Sequence, residues 1–82
     1  MLVSSLISKL EKLGAEKQIS EFNTCFLKIY FRLNNDFFYA YSDKNKKEIT
    51  NFNRITNYGG NIQDIELVPI RDFRHILKIA FK

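Results

Sequence analysis

The chain has a single histidine, His75, and a single cysteine, Cys25, set far apart in sequence. An imidazole titrates near neutrality and serves as a general base only when a second group is positioned beside it. His75 stands between Arg74 and Ile76 with no Ser or Cys motif nearby, so it reads as a half-exposed residue of the last element. Cys25 opens an alternating run whose apolar side also carries Leu27, Ile29, Phe31 and Leu33, which predicts a buried structural thiol. A nucleophilic thiol would need exposure and a cationic neighbour. Asp64 and Glu66 share one strand face, but a cation site or an acid–base pair needs more than two carboxylates, and they read as solvated edge residues. Gly59-Gly60 follows an expected helix, whereas a phosphate cradle precedes one. These residues predict no catalytic group, no metal and no cofactor.

The remaining chemistry is that of a surface. Phe26, Lys28, Tyr30 and Arg32 fall on the other side of the same run, and Tyr39 and Tyr41 extend that side onto the next segment. Interleaved aromatic and basic groups on a sheet can stack bases and neutralise phosphates. The same pattern also suits one side of a two-sided core covered by the N-terminal helix.

The elements that carry these residues follow from periodicity. Leu2, Val3, Leu6, Ile7, Leu10 and Leu13 make a helical stripe that stops near Gly14, so residues 1–20 form a helical extension. Thr24 to Leu33 is the clearest strand, and Asn34-Asn35 tolerates the left-handed backbone that lets Asp36–Ser42 return antiparallel. Asn45 with Glu48 three positions on resembles a helix-capping pair, and Ile49, Phe52 and Ile55 predict a helix from 45 or 46 to Tyr58. Gly59 would end that helix in the left-handed region, Gly60 would let the chain reverse, and Ile62–Val68 would form a strand bounded by Pro69. Residues 70–82 fit a helical face through Ile70, Phe73, Ile76, Leu77 and Ala80, although Leu77, Ile79 and Phe81 also alternate. The expected fold is a small α+β domain, an antiparallel sheet of three strands, or four if the last segment joins, with a helix crossover as in a ferredoxin-like fragment.

At 82 residues, 45% of them hydrophobic, the chain is one domain near the lower size limit for a self-sufficient core. Lone Cys25 excludes an internal disulfide, which suits a reducing compartment. The amphipathic N-terminus reads as a helix rather than a signal peptide, and no apolar run is long enough to span a membrane, so no membrane insertion is expected. The net charge is +4; residues 23–58 contain six basic and three acidic side chains, favouring an acidic partner.

Residues 24–69 resemble the small linker polypeptides of phycobilisomes, the rod-capping and core-capping linkers. The features that carry the likeness are Tyr39 to Tyr41, a charged helix closing on Arg54-Ile55, the spacer Thr56-Asn57-Tyr58, Gly59-Gly60, and Ile62-Gln63-Asp64-Ile65. Ala40 stands where the family usually has proline, and the stretch from Tyr41 to Arg54 is about one helical turn longer than expected. The resemblance implies a non-enzymatic linker without pigment of its own, in the cytoplasm or plastid stroma beside the thylakoid. It would seat in a ring of acidic phycobiliprotein subunits and tune their bilins. Phe26, Lys28, Tyr30, Arg32, Tyr39, Tyr41, Arg54 and Tyr58 would meet the partner, with Gly59 and Gly60 as the structural turn. The alternative is a small basic nucleic-acid-binding or regulatory protein of a phage or plasmid, using Lys28, Arg32, Lys44, Lys46, Lys47 and Arg54 against phosphates. A toxin-like ribonuclease is disfavoured because the sheet carries no histidine.

Overall fold

The computed structural model describes residues 1–58 and 61–80, those at 56–58 and 61–65 by their backbone alone. The chain runs α1 (Val3–Leu13), β1 (Lys17–Phe22), β2 (Phe26–Leu33), β3 (Asp36–Ser42), β4 (Ile49–Tyr58), β5 (Asn61–Val68) and α2 (Ile70–Ala80). The strands form one antiparallel meander in the order β1-β2-β3-β4-β5, and each pairs with its sequence neighbour. The α+β class is as expected. The ferredoxin-like crossover is not present, because the segment that would supply its helix is a strand.

That correction has a local cause. Ile49 and Phe52 are both buried, three positions apart, which looks helical in one dimension. In the sheet, Ser42 faces Ile49 while Tyr41 faces Asn51, so Thr50 is an extra residue in a bulge. The extra residue flips the alternation and returns Phe52 to the same face as Ile49. Ile, Thr and Asn dominate residues 49–57, and the β-branched ones among them favour a strand over a helix.

The expected capping pair is replaced by a turn. Asp43 Oδ1 accepts the backbone N–H groups of Lys47 at 3.0 Å and Glu48 at 3.5 Å, and Lys46 turns the chain with φ 58°. Those bonds favour the ionised carboxylate, with Lys47 the larger contributor, and hold the Asp43 pKa below its ordinary 3.8. The N-terminus clamps the turn from outside: Val3 N–H donates to Lys47 O, and Ile49 N–H to Met1 O, both at 2.8 Å.

The remaining differences lie near β1. Residues 1–20 are not a helical extension, since α1 stops at Gly14, left-handed at φ 65°, and Lys17–Phe22 forms an edge strand. With only Ile19 and Phe22 as large apolar residues, that strand has a weak pattern. Asn23 and Thr24 have positive φ, so β2 begins at Phe26 and Cys25 is exposed in the turn rather than buried on a strand. The hairpin at Asn34 and the α2 helix occur as expected, with Asn34 left-handed at φ 56°. Gly59 and Gly60 lie outside the described residues, but Tyr58 before them ends a strand, not a helix.

Both helices cover the same side of the sheet. Val3, Leu6 and Leu10 of α1 and Phe73 and Leu77 of α2 close over Ile29, Phe31, Leu33, Phe38, Ala40, Ile49 and Phe52. Phe73 stacks on Phe52 with ring centroids 3.7 Å apart and meets Phe31 and Phe38 edge-on at 5.6 Å. The other side of the sheet carries no element of the described chain.

Candidate binding face

The uncovered side of the sheet is where the strand alternation delivers its second set of residues. From β1 to β4 it presents Gln18, Ser20 and Phe22; Phe26, Lys28, Tyr30 and Arg32; Phe37, Tyr39 and Tyr41; and Asn51, Asn53 and Ile55. Leu67 continues it on β5, opposite Asn53. Large apolar surface is open there: Phe22 is 47% exposed, Phe37 45%, Tyr30 37% and Leu67 63%. An antiparallel sheet commonly leaves one face to solvent, but that face is ordinarily polar, so an open aromatic one marks a contact surface.

Its geometry is an aromatic ladder around one cation. Register sets Tyr30 beside Tyr39, with ring centroids 5.7 Å apart, while Tyr41 lies 5.8 Å from Phe26 and 6.3 Å from Phe22. Lys28 Nζ stands 4.2 Å from the Tyr39 centroid, 4.9 Å from Tyr30 and 5.7 Å from Tyr41. Each such contact is worth about 0.5–1 kcal/mol at an exposed site, so together they hold the ammonium over the rings while leaving it free to exchange. Arg32, at the far end, is paired with Glu16 at 3.1 Å. The turn after Ser42 carries Lys44, Lys46 and Lys47, of which Lys46 and Lys47 line a hollow with Leu2, Val3 and Ile7 on the helix side of the sheet. Lys46 binds Glu21 at 2.8 Å, whereas Lys44 and Lys47 are exposed and have no ion pair among the described residues.

Six of the eight expected contact residues thus come together: Phe26, Lys28, Tyr30, Arg32, Tyr39 and Tyr41. Arg54 does not join them. It faces Phe38 across the β3–β4 ladder, on the helix side, and its guanidinium donates to Asp36 Oδ1 at 2.8 Å. Tyr58 belongs to β4, not to a last helical turn, and its side chain lies outside the described residues. Phe22, Phe37 and Leu67 are additions that sequence reading missed. Phe37 was legible, since it alternates with Tyr39 and Tyr41, whereas Phe22 needed the unrecognised β1.

The groups considered for catalysis are dispersed. His75 is exposed on the outer side of α2 with Arg71, Arg74 and Lys78. Cys25 is at the β1–β2 turn, and Glu66 sits opposite Arg54 in register. Asp64 pairs with Thr56 through the backbone, and its side chain lies outside the described residues. A cleft of about 370 Å³ opens between α2 and the ends of β3 to β5, walled by Ile76 and Ile79 and floored by the Asp36–Arg54 pair. It brings His75 and Cys25 no closer together. No family of known proteins, no curated protein and no solved structure matches this chain.

Proposed function

We propose that this chain binds single-stranded nucleic acid on the open face of its sheet and catalyses no reaction on it. The observation that carries the reading is the Lys28 ammonium lodged among Tyr30, Tyr39 and Tyr41 on a face that no element of the described residues covers. Bases stack on the exposed rings, and Lys28 moves from the ring faces to a phosphate. Stacking tolerates any base, and Asn51 and Asn53 beside the ladder offer hydrogen bonds to base edges.

A second reading uses the same face, that of a linker seated in an acidic phycobiliprotein ring. Exposed Phe22, Phe37 and Leu67 would supply its apolar contact and Lys28 its charge. It ranks behind because the likeness depended on a charged helix closing on Arg54-Ile55, and that segment is β4.

The test is fluorescence anisotropy with a labelled oligonucleotide over a salt series. Removing one stacking ring costs about 1–3 kcal/mol, so Tyr39→Ala weakens binding roughly 5- to 150-fold while Tyr39→Phe retains it. Lys28→Ala lowers the slope of log affinity against log salt by about 0.7. Binding unaffected by Tyr39→Ala refutes the site. Binding to a phycobiliprotein with none to oligonucleotide reverses the order of the two readings.

A further inference from the structure

We propose that two copies of the chain associate edge to edge through β1, antiparallel about a two-fold axis at Ile19, to form one continuous ten-stranded sheet.

The backbone sets the phase. Arg32 N–H donates to Glu16 O at 2.9 Å, which makes Glu16 and Arg32 a hydrogen-bonded pair in the β1–β2 ladder. Such pairs alternate, so Gln18, Ser20 and Phe22 also turn their backbone groups toward β2. Lys17, Ile19 and Glu21 therefore direct their N–H and C=O groups outward, at an edge that no strand of the described residues covers. Exposed edge groups of this kind template another strand unless something blocks them. β1 has no proline and no bulge.

Side chains identify the occupant as a second copy. Read antiparallel, the outward set Lys17, Ile19, Glu21 becomes Glu21, Ile19, Lys17. A two-fold axis at Ile19 thus sets each Lys17 opposite Glu21 of the second copy and packs the two Ile19 side chains together. Each opposed pair exchanges two backbone hydrogen bonds, because the residues that meet are those whose groups point outward. Opposite charges directly across a pair are favourable, and like charges are not. Ile19, 45% exposed and the one apolar residue of this outward set, gains the cover that its own fold does not provide. A one-residue slip loses both matches, placing Lys17 against Ser20 and facing inward-bonded residues toward the partner. Within one copy Lys17 binds Glu11 at 3.4 Å and Glu21 binds Lys46 at 2.8 Å. Both pairs keep the carboxylate exposed to water, which limits their net worth, and a carboxylate can accept a second cation. Association also makes the two open faces continuous, although the edge pairing stands independently of what that face binds.

Sedimentation equilibrium of the full chain tests the proposal, with far-UV circular dichroism to check that each variant is folded. The native chain shows a concentration-dependent monomer–dimer equilibrium. Lys17→Glu and Glu21→Lys each place like charges opposite one another and weaken self-association about tenfold. Mixing the two variants restores it, since the acidic pair of one chain then faces the basic pair of the other. A chain that stays monomeric at every concentration overturns the proposal. So does a dimer indifferent to both substitutions, or one weakened by each but not restored on mixing.

Discussion

Phe73→Ala tests whether α2 is part of the fold or an appendage. The Phe73 side chain is fully buried, stacked on Phe52 and edge-on to Phe31 and Phe38. Truncating a buried phenylalanine costs about 3–5 kcal/mol through lost transfer energy and the cavity left behind. Three aromatic partners from three strands put this site at the upper end, because each pair adds roughly 0.5–1.5 kcal/mol beyond area. The three rings are held by the sheet and cannot collapse into the space. A domain of this size is stable by roughly 4–12 kcal/mol, so the substitution removes a third or more of the total. Urea unfolding monitored by circular dichroism should show a midpoint shift of that size with an unchanged slope. Ile79→Ala, on the same helix but 57% exposed, should change stability by less than about 0.5 kcal/mol. A Phe73→Ala loss below about 1 kcal/mol would mean that α2 does not pack where the structure puts it, and the division into covered and open faces would fall with it.

Two further outcomes follow from the β3–β4 turn. Ser42, 1% exposed, accepts the Leu27 N–H at 2.9 Å through its hydroxyl, so Ser42→Ala leaves that amide unpaired beside the bulge; chemical denaturation should show a loss of about 1–3 kcal/mol, toward the lower end because Leu27 is half-buried. Asp43 has its folded pKa below the ordinary 3.8, so its contribution to stability is complete above that value and is lost as pH falls through the lowered one. An NMR titration should find the Asp43 carboxylate protonating below the usual range together with shifts of the Lys47 and Glu48 amides, and an ordinary Asp43 titration would remove the turn as described.

Local chemistry determined much of this molecule. The stripe from Val3 to Leu10 with Gly14 after it specifies a helix and its end, because a 3.6-residue period and a left-handed stop are properties of adjacent residues alone. The alternation from Phe26 to Leu33 and the Asn34 turn likewise placed Lys28, Tyr30, Tyr39 and Tyr41 on one side before any packing was known. What the tertiary structure decided is what depends on partners far along the chain. One extra residue opposite Tyr41 turned an apolar spacing of three into a strand, and so abolished a helix that the spacing alone supports. Edge strand β1 has too few apolar residues to announce itself and exists because β2 offers it a ladder. Arg54 left the tyrosines for Asp36 through the register of β4, which no property of Arg54 reveals. Above all, alternation separates two faces of a sheet but does not say which is covered. Both helices chose the phenylalanine face, where Phe73 can be buried among Phe31, Phe38 and Phe52 without desolvating a charge, and the tyrosines with Lys28 were left to solvent because burying that ammonium would cost more than its ring contacts return.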